Sequence, residues 1–298
     1  MKVFFSADYR AAAESFDTTR KSAWIAESLE RIPIAGVELT APEPLTFDYI
    51  ATVHDPKYVE AVKTGEPREL AVSQGFEWDP GMWRSVTASN GGVVAAALAA
   101  MTEGVAGSLS SGMHHARRAR GASFCTFNGL AIAAKKALDA GVRSVWILDL
   151  DAHCGGGTHS LIRHEPRIRQ TDVSVSRVDP YNPAEWNTLD MVSDASTYLD
   201  VVRSRLADLE KAGQMPGLCL YNAGMDPDAR CVIGGLRGMA ATMLREREDL
   251  VFGWCRERGI PVAFVLAGGY ESSELSRDSL VALHRMTIEA GVKGPNQH

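Results

Sequence analysis

Val145-Trp146-Ile147-Leu148-Asp149-Leu150-Asp151-Ala152-His153-Cys154-Gly155-Gly156-Gly157-Thr158 changes character part-way along. Its first four residues are continuously apolar, the pattern of a strand covered on both faces, and a polar, glycine-rich tail follows at once. Two further segments repeat the plan. Leu218-Cys219-Leu220-Tyr221 runs into Asn222-Ala223-Gly224-Met225-Asp226, and Pro261-Val262-Ala263-Phe264-Val265-Leu266 runs into Ala267-Gly268-Gly269-Tyr270. Around them the spacing of apolar residues predicts helices over 85–101, 129–140, 197–211, 239–258 and 275–290, with Gly141 and Gly213 as stop signals. Strands alternating with helices predict an α/β chain, with a central, mostly parallel sheet and helices on both faces. In open sheets of that kind ligands sit beyond the carboxyl ends of the strands, which is where the three polar tails lie.

The chain has 298 residues, of which 45% are hydrophobic and 23% charged, enough to bury a large core. No Pro/Ser-rich linker, charge block or repeat divides it, so residues 1–298 read as a single domain. A net charge of -6 and a pI near 5.8 give no bulk attraction to nucleic acid. The local basic run Arg117, Arg118, Arg120 reads as a solvated loop beside other chemistry. The opening Met1-Lys2-Val3-Phe4-Phe5-Ser6 is too short an apolar run for a signal peptide, and no apolar stretch of membrane-spanning length is expected later. These features predict a cytoplasmic protein with no nucleic-acid or membrane partner. Cys125, Cys154, Cys219, Cys231 and Cys255 are scattered and contain no C-x-x-C pair, so they predict small buried apolar residues rather than a disulfide framework.

Asp151 and His153 are two residues apart, so on an extended strand exit their side chains point the same way. Asp226, at the end of a neighbouring strand, completes a set of two carboxylates and one imidazole. Such a set holds a catalytic zinc and leaves a position open for water and a substrate carbonyl. An Asp-x-His pair alone reads more readily as a cap or a surface ion pair. The glycines at 155, 156 and 157 tip the balance, because they remove side chains where metal and substrate approach closely. Ser111-Gly112-Met113-His114-His115-Ala116 adds two imidazoles suited to acid and base work near neutrality, with Asp149 placed to hold one ring. Tyr270 follows two glycines that let its ring turn over the metal and donate to an oxyanion; the plainer reading is core packing.

Taken together, these residues resemble the histone deacetylase superfamily, which includes bacterial acetylpolyamine amidohydrolases and acetoin-utilisation-type proteins. The resemblance runs from about His54 to Tyr270. It rests on His54-Asp55-Pro56-Lys57-Tyr58-Val59, on Gly112 to Ala116, and on Ser123-Phe124-Cys125-Thr126-Phe127-Asn128. It continues through Asp149 to Thr158, Asn222 to Asp226 with Gly234-Gly235-Leu236, and Gly268-Gly269-Tyr270. It implies an arginase-deacetylase fold and a zinc-dependent deacylase acting on an acylated lysine, polyamine or related amine, either a small molecule or a peptide. One zinc would sit on Asp151, His153 and Asp226. His115 would be the general base, His114 its electrostatic partner hydrogen-bonded toward Asp149, and Tyr270 the carbonyl-polarising phenol. Phe124 and Ile233 would line the acyl tunnel, with Gly268 and Gly269 beside the substrate. A structural potassium ion near Asp149, Asp151 and His153 is common in the family. Assembly as a homo-oligomer is left open.

The chain departs from the family pattern at three places. Cys154 stands where a second imidazole is usual, Gly156 where a polar residue supports the base histidine, and Ser15-Phe16-Asp17-Thr18-Thr19-Arg20 where a His-Pro-Glu segment is expected. Loss of such a supporting partner typically matters tenfold or more for metal affinity or activity. Two rival readings follow. A binuclear manganese ureohydrolase is suggested by Asp151-Ala152-His153 and by Asp228, but it requires an aspartate where Gly155 stands. A degenerate member that binds acylated ligands without turnover is suggested by Cys154 and Gly156.

Overall fold

The computed structural model describes residues 1–12, 17–183, 186–213 and 215–293; Ser15 and Phe16 of the departing N-terminal segment lie outside them. Strands β1 (Lys2–Phe4), β2 (Glu38–Thr40), β3 (Val105–Ser108), β4 (Val145–Asp149), β5 (Ile168–Ser174), β6 (Thr188–Met191), β7 (Leu218–Gly224) and β8 (Val262–Ala267) form one eight-stranded sheet. Their order is β2-β1-β3-β8-β7-β4-β5-β6, and every pairing is parallel. The three strands expected from the sequence are therefore adjacent at the centre, in the order β8-β7-β4.

Alternation along these strands feeds two cores. Trp146, Leu148, Cys219, Tyr221, Phe264 and Leu266 pack on one face, while Val145, Ile147, Leu218, Leu220, Ala263 and Val265 pack on the other. Helices Ala195–Lys211, Ala241–Glu257 and Arg277–Val292 bury side chains in the first core; helices Gly81–Glu103 and Gly129–Asp139 do so in the second. The predicted helices all form, with ends shifted by up to four residues. Gly141 and Gly213 adopt the left-handed φ values (96° and 66°) of terminating residues.

One expectation is corrected. Helix Gly81–Glu103 is long and apolar enough to cross a membrane by length and composition. Its apolarity reflects burial on several sides, since 72% of that window lies inside the protein.

Candidate active site

At the carboxyl edge of β4 and β7, His153 Nδ1 lies 3.0 Å from Asp151 Oδ1 and 3.1 Å from Asp226 Oδ2. All three residues are buried, and their ligand atoms lie within 4.8 Å of one another. Backbone amides aim the carboxylates: Ala152 N–H donates to Asp226 Oδ1 (3.0 Å) and His153 N–H to Asp151 Oδ1 (3.0 Å). Asp226 Oδ2 is left buried without a hydrogen bond. An orphaned carboxylate oxygen facing an imidazole nitrogen is an arrangement that a cation completes. Metal–ligand bonds of about 2.0–2.2 Å suit donor atoms separated on this scale.

The electrostatics agree. Burial opposes charge on His153, but Asp151 and Asp226 outweigh it and push the ring up to about 11. Burial likewise opposes ionisation of Asp151, yet His114 and His153 hold its carboxyl below the usual range. Asp226 is raised by burial and by the charge of Asp151. The spot between these residues draws positive charge, and the residues fit a divalent ion. Among the described residues, no other group of three or more His, Cys, Asp or Glu side chains is close enough to share one. Asp228, the extra carboxylate that suggested a second metal, is engaged by Arg230 at 2.8 and 2.9 Å.

The histidine pair is held by a helix start. Asn128 caps helix Gly129–Asp139 by accepting from Ala131 N–H (3.0 Å). Its amide simultaneously donates to the carbonyls of His114 (3.3 Å) and Ala116 (3.2 Å). His54 braces the same loops, donating through Nδ1 to Arg117 O (2.9 Å) and accepting through Nε2 from Asn128 N–H (3.0 Å). The His54–Val59 motif is thus scaffold: Asp55 and Pro56 start helix Pro56–Thr64, and Tyr58 donates to Thr126 O at 2.7 Å.

His114 donates from Nδ1 to Asp149 Oδ2 (2.8 Å), as the sequence suggested, and its Nε2 faces His115 Nε2 at 3.1 Å. Burial disfavours its charge, but Asp149 and Asp151 prevail and raise it to about 10. His115 is lowered, first by burial and then by the neighbouring His114, against the pull of Asp179. One ring carries the charge and the other is biased toward neutrality.

Asp179 is a residue that sequence reasoning missed. It sits on the loop after β5, and its Oδ2 accepts from His115 Nδ1 (3.0 Å) and from Gly157 N–H (3.0 Å). Arg117 grips the other oxygen and also donates to Gly156 O at 3.3 Å. The basic run is therefore not simply a solvated loop. The reading of the glycines changes too. A β-carbon at Gly156 would lie 2.7 Å from Asp179 Oδ1, and one at Gly155 would lie 2.8 Å from Asp149 Oδ2. The glycines admit protein groups packed behind the site rather than substrate. Gly155 N–H donates to the buried Asp172 (2.7 Å), whose carboxyl is raised by burial and by Asp149. Cys154 is a buried free thiol against Met191.

Gly268 has φ +50°, and a β-carbon there would collide with the Asp226 carboxylate. The fully buried Lys21 donates to the Gly268 carbonyl. Tyr270, two residues on, is 9% exposed at the margin of the first core, and its phenol is raised by burial and by the charges of Asp226 and Asp151. Phe124 lines a cleft together with Phe76, Met82, Ser111 and Met113. Ile233 does not line this cleft. It precedes Gly234, where a β-carbon would meet His153 Cε1 at 3.1 Å, and is 39% exposed. Among the described residues, the non-glycine positions with positive φ are Met113, Ser123, Phe124 and Asp179, all in these loops.

A second missed residue works from beneath. The fully buried Arg247 donates to Leu150 O (3.1 Å), between two of the aspartates, and pairs with Glu248. It lies in helix Ala241–Glu257, remote in sequence from every motif, so only the buried position of its charge could have signalled it.

The sheet is that of the arginase-deacetylase fold. The solved acetylpolyamine aminohydrolase of Burkholderia pseudomallei superposes with a TM-score of 0.78, covering 97% of this chain and 98% of that one at 19% identity. Residues 15–181 match the histone deacetylase domain family. An uncharacterized protein of Picosynechococcus sp. is 32% identical over 228 residues, 74% of this chain and 75% of that protein. Histone deacetylase 2 of Arabidopsis thaliana is 30% identical over 206 residues, 66% of this chain and 53% of that protein. The chain belongs to the histone deacetylase family, and so to the hydrolases.

Proposed function

We propose that this protein is a zinc-dependent deacylase that hydrolyses the amide of an acetylated, or otherwise acylated, lysine, polyamine or related amine. The observation that carries this reading is the convergence of Asp151, His153 and Asp226 beside the paired rings of His114 and His115. Held by those three residues, a single zinc would supply Lewis acidity toward water and the amide carbonyl.

The chain's own groups supply the rest. His115, biased toward its neutral form, takes the proton of the attacking water and passes it to the departing amine. His114, kept charged by Asp149, stabilises the negative charge that grows on the carbonyl carbon's oxygens. Tyr270, held un-ionised, donates its hydroxyl proton to the same developing oxyanion. Phe124, in the cleft, and the exposed Ile233 beside Gly234 offer apolar surface to the acyl-amine stem, whereas Gly268 and Gly269, expected beside the substrate, make room for Asp226 and Leu280 instead. The hydrogen bond from His115 to Asp179 weakens the case for a degenerate binder, because it supplies the partner whose loss at Gly156 suggested one. Five free, buried cysteines suit a reducing, cytoplasmic setting.

The test is acid release from acetylated polyamines, acetyl-lysine peptides and longer acyl amides, with metal content measured on the same sample. Turnover of one class with one zinc per chain is expected. Zinc-loaded protein inert toward every class would overturn the reading, and two manganese ions per chain with urea release would install the ureohydrolase.

A further inference from the structure

We infer that Asp179 is the residue that positions His115, a task moved in this chain from the loop after β4 to the loop after β5. The inference rests on the proposed role of His115 and deepens it.

Three observations carry it. The first is occupancy. The carboxylate of Asp179 fills the space that any side chain at position 156 would need, with Oδ1 and Cγ at 2.7 and 2.8 Å from a β-carbon built there. A side chain at 156 and the present placement of Asp179 exclude one another. The second is direction. Asp179 Oδ2 receives His115 Nδ1, which fixes the ring's tautomer and turns its Nε2 toward the metal triad, where His114 Nε2 lies 3.1 Å away. The third is fixation. Asp179 is held in the left-handed region at φ 56°, where a non-glycine residue persists only if its surroundings insist. Arg117 and Gly157 N–H supply that insistence by engaging both carboxylate oxygens. A surface aspartate with no task would relax to ordinary backbone geometry.

The experiment compares zinc-loaded wild type with Asp179→Ala, Asp179→Asn and His115→Ala, and with the double variant of His115→Ala and Asp179→Ala. Asp179→Ala is expected to lower kcat by about 10- to 100-fold, with KM changed less than about threefold and zinc content unchanged. Asp179→Asn, which can still accept from Nδ1, should recover part of the loss, and added formate, small enough to reach a side-chain position that is 14% exposed, should partly rescue Asp179→Ala. In the His115→Ala background, removal of Asp179 should cost nothing further, because it acts through that ring. Unchanged kcat in Asp179→Ala, or a full additional loss in the double variant, would overturn the proposal. A readout independent of turnover separates it from the deacylase reading. Imidazole 15N shifts should show His115 protonated at Nδ1 in wild type and a mixture of tautomers in Asp179→Ala. If no substrate is turned over, the shifts still decide the positioning role, and identical spectra in the two proteins would refute it.

Discussion

Lys21, in helix Asp17–Arg31, donates an ammonium N–H to the carbonyl oxygen of Gly268, joining that helix to the loop that carries Tyr270 across 247 residues of sequence. Gly268 cannot be exchanged for a larger residue in this arrangement, since a β-carbon there would collide with the Asp226 carboxylate. Lys21→Met keeps the stem and removes the donor. Unfolding free energy should change by less than about 2 kcal/mol, because loss of the hydrogen bond is offset by no longer burying an ammonium group. Turnover should fall about tenfold or more as the Tyr270 loop loses its anchor. Urea titration and steady-state kinetics on the same preparation check both, and unchanged turnover would show that the loop holds itself.

Tyr270→Phe should lower kcat by roughly 10²- to 10³-fold, the usual cost of removing one oxyanion donor. The ring's packing at the edge of the core is kept, so zinc content and thermal midpoint should stay near wild type. Equal turnover in the two proteins would return the phenol to a purely packing role.

His54 gives the protein an acid limit. It is fully buried, donates from Nδ1, accepts at Nε2, and is lowered by burial to about 4. A proton at Nε2 would face the Asn128 N–H. Because the folded value lies below the ordinary 6.5, the unfolded chain binds the proton first. This contribution is complete above about pH 6.5 and is lost as pH falls toward about 4. Between pH 7.5 and 5 it amounts to about 2 kcal/mol. Urea unfolding at the two pH values should show this loss in wild type and a shallower one in His54→Gln. The same slope in both would assign the acid sensitivity elsewhere.

Removing the metal should silence the enzyme without unfolding it. The carboxylates are aimed by Ala152 and His153 amides, and the strands beneath are packed on both faces, so the cup persists without its ion. Dialysis against a chelator should abolish turnover and leave far-UV ellipticity intact. The thermal midpoint should drop by roughly 5–10 °C, as expected for losing a ligand bound only by the folded state. Zinc should restore all three. Collapse of the ellipticity would mean that the ion builds the site.

The sequence announces the centre of this molecule and hides its rim. β4, β7 and β8 are legible because each is an unbroken apolar run ending in polar residues. β1, β2, β3 and β6 are three or four residues long, too short for any period, and β5 interrupts its pattern with the buried Gln170 and Asp172. The ligands could be read because Asp151 and His153 share one strand exit. Asp179 could not, because its partner His115 lies 64 residues away and Asp179-Pro180 has the look of an ordinary turn. A usable clue was the empty place at Gly156, together with an aspartate leaving the next strand at the same edge of the sheet. Lys21 and Arg247 reach the site through the backbone carbonyls of Gly268 and Leu150, contacts that side-chain pattern does not encode.

Met113, Ser123, Phe124 and Asp179 hold a handedness that costs an L-residue roughly 1–2 kcal/mol apiece. Glycine would relieve each of them. A breeding programme that rewarded heat resistance alone would try these four positions early, and it would gain wherever the lost side chain binds its neighbours by less than the backbone relief. It would also detach the loops that aim His115 and shape the cleft, so the hardiest descendants of this protein should be its slowest.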